Sequence, residues 1–158
     1  MITDLILLIL IMVVFIAYTG YIYLNYGITS SISSSILKLP GIKKSFYSFF
    51  MLGIAVPFAI VSDTPLGVAA GIFLAIDFAA VAGGDRLQYI IHCIGADVGM
   101  LLGMVMLIVD YGQWPLVLVT AIYVVFYQFR KVKNRTWWIE VTVFASAWIG
   151  LFYEKILL

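Results

Sequence analysis

Residues 87–109 read LQYIIHCIGADVGMLLGMVMLIV, and this apolar stretch is long enough to cross a bilayer as a helix, which takes about 20 residues. It carries two ionisable side chains, His92 and Asp97. It also carries glycines at intervals of four residues, Gly95, Gly99 and Gly103. Because residues four apart share a helix face, the stretch predicts a transmembrane helix with a close-packed glycine face and polar groups held within the membrane.

The composition of the whole chain supports the same environment. Of 158 residues, 65% are hydrophobic and 11% are charged, and the mean hydropathy is +1.14. A soluble domain has roughly 45–50% apolar and about 25% charged residues. The composition therefore excludes a soluble globular enzyme and a disordered chain, and the single cysteine, Cys93, excludes an internal disulfide. The net charge of +1 gives no indication of a nucleic-acid partner, so the partner that the sequence indicates is a lipid bilayer.

Apolar runs bounded by charged and turn residues predict an all-α, polytopic transmembrane helical bundle with six spans, in a single transmembrane domain of residues 1–158. The fifth run is the shortest. A re-entrant segment there gives five crossings as the alternative. The predicted spans are Leu5–Leu24, Phe46–Val61, Leu66–Ala82, Leu87–Val109, Pro115–Phe129 and Trp137–Leu157.

The basic residues predict how the chain is oriented. With six spans, eight of the nine Lys and Arg residues fall on one side of the membrane and only Lys155 falls on the other. By the positive-inside rule the basic side is cytoplasmic. We therefore expect an integral protein of a plasma or inner membrane with both termini outside. The eight residues are Lys38, Lys43, Lys44, Arg86, Arg130, Lys131, Lys133 and Arg135.

The one long connection, residues 27–44, is rich in serine and lies on the predicted cytoplasmic side. Four apolar residues in it fall on one helical stripe: Ile28, Ile32, Ile36 and Leu39. An interfacial amphipathic helix that ends at Pro40 fits this pattern. A flexible Ser-rich linker is the alternative.

Four ionisable residues within the spans are the candidates for binding a proton or an ion: Asp77, Asp97, His92 and Glu140. Asp77 and Asp97 lie at comparable depth, roughly 12–17 Å from the turn that joins their helices. We expect the two carboxyls to approach each other and to share a proton or bind a cation. His92 and Glu140 lie nearer the inner interface, where a hydrogen-bonded histidine and a locally paired carboxylate are the simpler interpretations. The sequence identifies no metal and no cofactor.

The residues Gly95, Gly99 and Gly103 are expected to pack a helix. Small residues on one stripe allow a second backbone to come close. The partner is either another helix of the same chain or a second copy in a homo-oligomer. Gly67 and Gly71 repeat the spacing on the third span, which favours that span as the partner.

Three functions fit these residues. The first is a small transporter or channel that uses the Asp77–Asp97 carboxyl pair. The second is a membrane-embedded lipid hydrolase or transferase with a site facing the cytoplasm, in which Asp77, His92 and Asp97 would hold a metal-bound water and Arg86 or the basic loop would position a head group. The third is a non-catalytic membrane assembly protein whose buried acids form hydrogen bonds between helices. The residues alone do not decide whether the chain is an enzyme.

Overall fold

The computed structural model describes residues 2–40, 44–80, 86–130 and 132–158, and the regular structure in these ranges is entirely helical. The all-α helical bundle predicted from the sequence is therefore confirmed. The α-helices are α1 (Ile2–Tyr26), α2 (Lys44–Ser62), α3 (Pro65–Ala80), α4 (Arg86–Val109), α5 (Trp114–Phe129) and α6 (Arg135–Phe152). A 3₁₀ helix at Ser33–Lys38 and a π-helical turn at Tyr153–Leu157 complete the described structure.

Each predicted span overlaps one of these helices, and the sixth also includes the π-helical turn. Residues 81 and 82 of the third span lie outside the described residues. Two of the helical stretches, Ile2–Tyr26 and Ile90–Val109, are long and apolar enough to cross a membrane. Three others are apolar but shorter: Phe46–Ser62, Pro65–Asp77 and Trp114–Phe129. The described residues thus form six α-helices, but two helices of sufficient length and hydropathy do not confirm six membrane crossings.

Helices that follow each other in the chain pack side by side. The most extensive contact joins α3 to α4, and α2 packs on α3 and on α1. α6 closes the bundle because it contacts α1, α4 and α5. Aromatic rings fill the space between α1, α2 and α6: Phe15 stacks on Phe144 with 3.8 Å between ring centroids, and Tyr18 stacks on Phe50 at 4.2 Å.

The Ser-rich connection differs from the expected interfacial helix. Its helical part is only the short 3₁₀ segment, and the apolar side chains of Ile32, Ile36 and Leu39 are buried in the protein core. The hydroxyl of Tyr18 lies 2.5 Å from that of Ser35, which fixes this segment against α1. The apolar stripe was thus identified correctly, but it packs on the bundle, since α1 offers it a surface that already excludes solvent.

The glycines of α4 face two different helices. A Cβ atom at Gly95 would lie 2.6 Å from the backbone nitrogen of Asp77, and one at Gly99 would lie 2.9 Å from Cγ of Leu74, so both lie against α3. Gly103 instead faces the ring of Phe58 on α2. The two glycines of α3 make other contacts. Gly71 packs against Ala55 and Ala59 of α2, and Gly67 packs against Ser62 and Met106.

Polar contacts close the bundle at the end opposite the Ser-rich segment. The hydroxyl of Tyr111, in the α4–α5 connection, donates a hydrogen bond to the carbonyl of Ser62. Burial raises the pKa of Tyr111 to about 12, so its hydroxyl remains a donor to a higher pH than an exposed tyrosine does. The side-chain amide of Gln113 donates to the carbonyl of Gly150 at 2.9 Å.

Replacing Gly99 with leucine should destabilise the bundle, because the new side chain would enter the space occupied by Leu74 and its backbone. Overpacking of this kind costs about 1–3 kcal/mol. The control is Gly20→Leu, since nothing lies within 4 Å of a Cβ atom at Gly20. Thermal unfolding in detergent should show a lower midpoint for Gly99→Leu than for Gly20→Leu. Equal midpoints would mean that α3 and α4 do not depend on this close approach.

Candidate functional site

The centre of the site is a pair formed by Asp77 of α3 and His92 of α4. The carboxylate oxygen Oδ1 of Asp77 contacts Nδ1 of the His92 ring. Both side chains are buried, with 2% of Asp77 and 8% of His92 exposed. Gly95, one turn further along α4, allows this contact because it brings the backbones of the two helices together at Asp77.

Tyr47 of α2 completes the surroundings of Asp77. Its hydroxyl donates a hydrogen bond to Oδ2 of Asp77 at 3.4 Å, and its side chain is almost fully buried. A tyrosine near the end of a predicted span usually anchors its helix at the membrane interface, so Tyr47 was not among the candidate site residues. The structure instead makes it part of the site. The sequence signal was ambiguous, because a tyrosine near the end of a span fits both roles.

Glu140 of α6 forms the second polar centre, together with the Ser-rich segment. Its carboxylate accepts a hydrogen bond from the backbone N–H of Ile32 and another, at 3.5 Å, from the hydroxyl of Ser33. The expected pairing with a neighbouring basic residue is not observed among the described residues. Two further bonds hold the segment on α6: the side chain of Asn134 donates to Ile28 O at 2.8 Å, and the backbone N–H of Trp137 donates to Ser30 O at 3.2 Å.

Asp97 does not join this group. It lies on the exposed side of α4, between the exposed side chains of Ile94 and Leu101. Five residues of α-helix separate it from His92 by about 140°, so both side chains cannot face α3. The expected Asp77–Asp97 approach is therefore replaced by a carboxylate–imidazole pair. Depth along the helices does not by itself determine which face contacts the neighbouring helix.

A cavity of about 100 Å³ connects these two polar centres to the middle of the bundle. Its polar lining comes from Ser33, Tyr47, Asp77 and Glu140. The rest is apolar and is contributed by α1, α2, α3, α4, α6 and Ile32, with Ile11, Phe15, Phe58, Leu74, Phe144, Trp148 and Leu151 among the lining residues. Glu140 and Leu151 both line it, and they are separated by about 16 Å along α6 at 1.5 Å per residue. The cavity is therefore an elongated apolar slot with a polar end.

The described residues do not include three or more His, Cys, Asp or Glu side chains close enough to hold a metal ion. The ligand set expected for a metal-bound water, Asp77, His92 and Asp97, is not assembled in this part of the chain, since Asp97 faces outward. The sequence also suggested Arg86 for binding a head group. The side chain of Arg86 lies outside the described part of the structure. The chemistry that the described residues offer is that of carboxylates, an imidazole and hydroxyls.

Comparison of the chain with protein-family models, with curated proteins and with solved structures gives no match. The site must therefore be interpreted from its own geometry.

Asp77→Leu should destabilise the protein more than Asp77→Asn does. Leucine removes both the acceptor for the Tyr47 hydroxyl and the counter-ion of His92, and a buried polar group without a partner costs about 1–3 kcal/mol. Asparagine keeps a side-chain oxygen that accepts a hydrogen bond. Asp97→Leu is the matched control, because its side chain is exposed. Thermal unfolding of the three variants tests this order, and a loss that is largest for Asp97→Leu would contradict it.

Proposed function

We propose that the chain is an integral membrane protein in which all six helices lie in a bilayer. Large apolar side chains point outward on every helix, and a soluble monomer rarely exposes so much contiguous apolar surface. The polar groups lie inside, as a hydrocarbon solvent requires. Examples of the exposed apolar residues are Ile6, Val13 and Ile16 of α1, Phe49 and Ile60 of α2, Ile72 of α3, Leu101 of α4, Ile122 and Phe129 of α5, and Ile149 of α6.

Asp97 is an exception on this outward surface. A carboxylate in the hydrocarbon costs about 2.5–3.5 kcal/mol on insertion scales. This cost makes the face of α4 around Asp97 the best position for contact between two copies of the chain. The homo-oligomer, the cytoplasmic position of the Ser-rich segment and the external position of both termini stay predictions.

Within the membrane, we propose that the protein is a lipid hydrolase or transferase. The observation that carries this proposal is the slot itself, which is apolar along most of its length and has hydroxyl and carboxylate groups at one end, with the His92 ring behind Asp77. An apolar cavity of about 150 Å³ binds benzene, so this slot of about 100 Å³ would hold a short segment of a lipid chain. A lipid chain in the slot would place its polar group beside Ser33 and Glu140, close to the start of α6.

The polar end has the groups that acid–base and nucleophilic chemistry need. The contact between Asp77 and Nδ1 of His92 fixes the orientation of the ring and favours Nε2 as the nitrogen that exchanges protons. The hydroxyl of Ser33 donates to Glu140, a carboxylate that can take its proton when the oxygen attacks the carbonyl carbon of a lipid ester. The ester C–O bond then breaks, and the alcohol leaves with that proton. Ser33 was not among the candidates from the sequence, because one serine in a Ser-rich segment carries no distinguishing signal.

Purified protein incubated with a membrane lipid extract should consume a lipid and release its cleavage or transfer product. Ser33→Ala should reduce this turnover at least about 100-fold, since acid–base groups contribute roughly 10²–10⁴-fold to a rate. Ser34→Ala is the control, because Ser34 is the next residue and does not line the cavity. Mass spectrometry of the lipids is the measurement. Equal turnover by both variants would contradict the role of Ser33, and a wild-type protein without turnover would contradict the enzyme proposal.

Transport is the second candidate, because a buried carboxylate–imidazole pair can bind and release protons within a membrane. In this proposal the Asp77–His92 pair takes the place of the expected carboxyl pair. In reconstituted vesicles, Asp77→Asn should then abolish pH-driven flux through a protein that remains folded, while Asp97→Asn should retain it. Retained flux in Asp77→Asn would exclude the pair from a transport mechanism.

A further inference from the structure

We infer that the connection between α5 and α6 binds the phosphate group of a phospholipid. A pocket of about 450 Å³ lies at this connection, and the described residues that line it differ from those that line the slot. The inference rests on the proposed position in a bilayer, and it names the class of lipid that the proposed enzyme would take. The polar lining of the pocket comes from Ser30, Gln128, Arg130, Asn134, Arg135 and Thr136.

The charge at this pocket is positive. The side chains of Arg130 and Arg135 both line it. Residues 111–139 contain four basic residues and no Asp or Glu. A guanidinium group forms two parallel N–H bonds to a phosphate, and this geometry makes arginine well suited to that group. The pocket therefore fits an anion with several oxygens.

The first turn of α6 adds backbone donors on the same side. The first N–H groups of a helix have no acceptor within the helix, and together with the helix dipole they favour an anion. The N-cap residue Asn134 makes no capping bond with its side chain, whose amide donates to Ile28 O. In the described structure the N–H of Trp137 is bonded to Ser30 O, which leaves those of Arg135 and Thr136 for a ligand.

The surroundings of the pocket favour a lipid as the source of the phosphate. Ile122, Phe126 and Phe129 are exposed on one face of α5, and Phe129, at the end of the helix, is 85% exposed. The guanidinium of Arg130 lies 5.6 Å from the ring centroid of Phe126, so the charge sits at the end of this apolar face. Basic groups beside an apolar helix face meet lipid phosphates at the membrane surface. Lipid chains would thus lie along α5 while the phosphate enters the pocket.

The pocket adjoins the polar end of the slot. Thr136 lines the pocket and Glu140 lines the slot, and they are about 6 Å apart along the same face of α6. The Ser-rich segment contributes Ser30 to the pocket and Ser33 to the slot. A phospholipid held by its phosphate would therefore have its ester groups beside Ser33. This position makes a phospholipid the substrate class of the proposed enzyme.

Three probes separate the phosphate from the chains: dioctanoyl phosphatidate, dioctanoylglycerol, which lacks the phosphate, and glycerol 3-phosphate, which lacks the chains. Native mass spectrometry of the full chain in a neutral detergent counts the bound molecules and gives their masses. Dioctanoyl phosphatidate should bind at least about tenfold more tightly than either of the other probes, a difference of about 1.4 kcal/mol.

Arg130→Gln and Arg135→Gln should each weaken the binding of phosphatidate at least about tenfold, because each removes a guanidinium that lines the pocket. Lys133→Gln is the matched control. It removes the same charge from the same connection, but Lys133 is exposed and is not among the described residues that line the pocket. Its affinity should stay within about threefold of the wild type. A thermal unfolding scan verifies that each variant is folded, and the wild-type order of the three probes decides the inference if one is not.

The outcomes separate this inference from the enzyme proposal. If dioctanoylglycerol binds as tightly as phosphatidate, the phosphate is not recognised and the inference is wrong. If glycerol 3-phosphate binds as tightly, the pocket takes a soluble phosphate and its assignment to a lipid is overturned. If Lys133→Gln loses as much affinity as the arginine variants, binding reflects the overall charge of the connection and the pocket is not the site. The expected order in a protein that consumes no lipid would support this inference while the enzyme proposal fails.

Discussion

The contact between Asp77 and His92 is the interaction on which the arrangement of the site depends. It joins α3 to α4, the two helices with the most extensive contact in the described structure, and it lies where Gly95 lets their backbones come closest. A charged carboxylate in an apolar interior needs a counter-ion nearby. The pair therefore sets how α4 is rotated about its axis. That rotation directs Gly99 toward α3 and turns Asp97 outward.

The site is built from elements that lie far apart in the chain. α3 and α4 supply one polar centre, and α6 supplies the other through Glu140. The Ser-rich segment lies over the second centre, since Tyr18 fixes it on one side and Asn134 on the other. The apolar slot is the space left between these two halves. Its polar end faces the side where the basic residues are expected, so chain and head group would enter from that side.

The helices could be predicted from the sequence, because apolar runs and their punctuation are local signals. The candidate residues Asp77, His92 and Glu140 were also identifiable, because ionisable groups are rare in such runs. Their partners were not identifiable. Which face of α4 meets α3 depends on the packing of Gly95 against the Asp77 backbone, which is a tertiary contact. Tyr47 and Ser33 were missed for a related reason, since each resembles many equivalent residues until folding gives it a carboxylate to bind.

The bonds between the Ser-rich segment and α6 have a consequence for the order of folding. Glu140 lies 108 positions after Ile32, and Asn134 lies 106 positions after Ile28. Contacts this distant in sequence form late, because the intervening chain must be made and ordered first. During synthesis the segment that covers the slot thus lacks its contacts with α6 until that last helix arrives, and only the contact with Tyr18 is within reach earlier. The wall formed by Ile32 and Ser33 would then be the final part of the slot to close, and a chain-bearing molecule already in the membrane would be able to enter before it does.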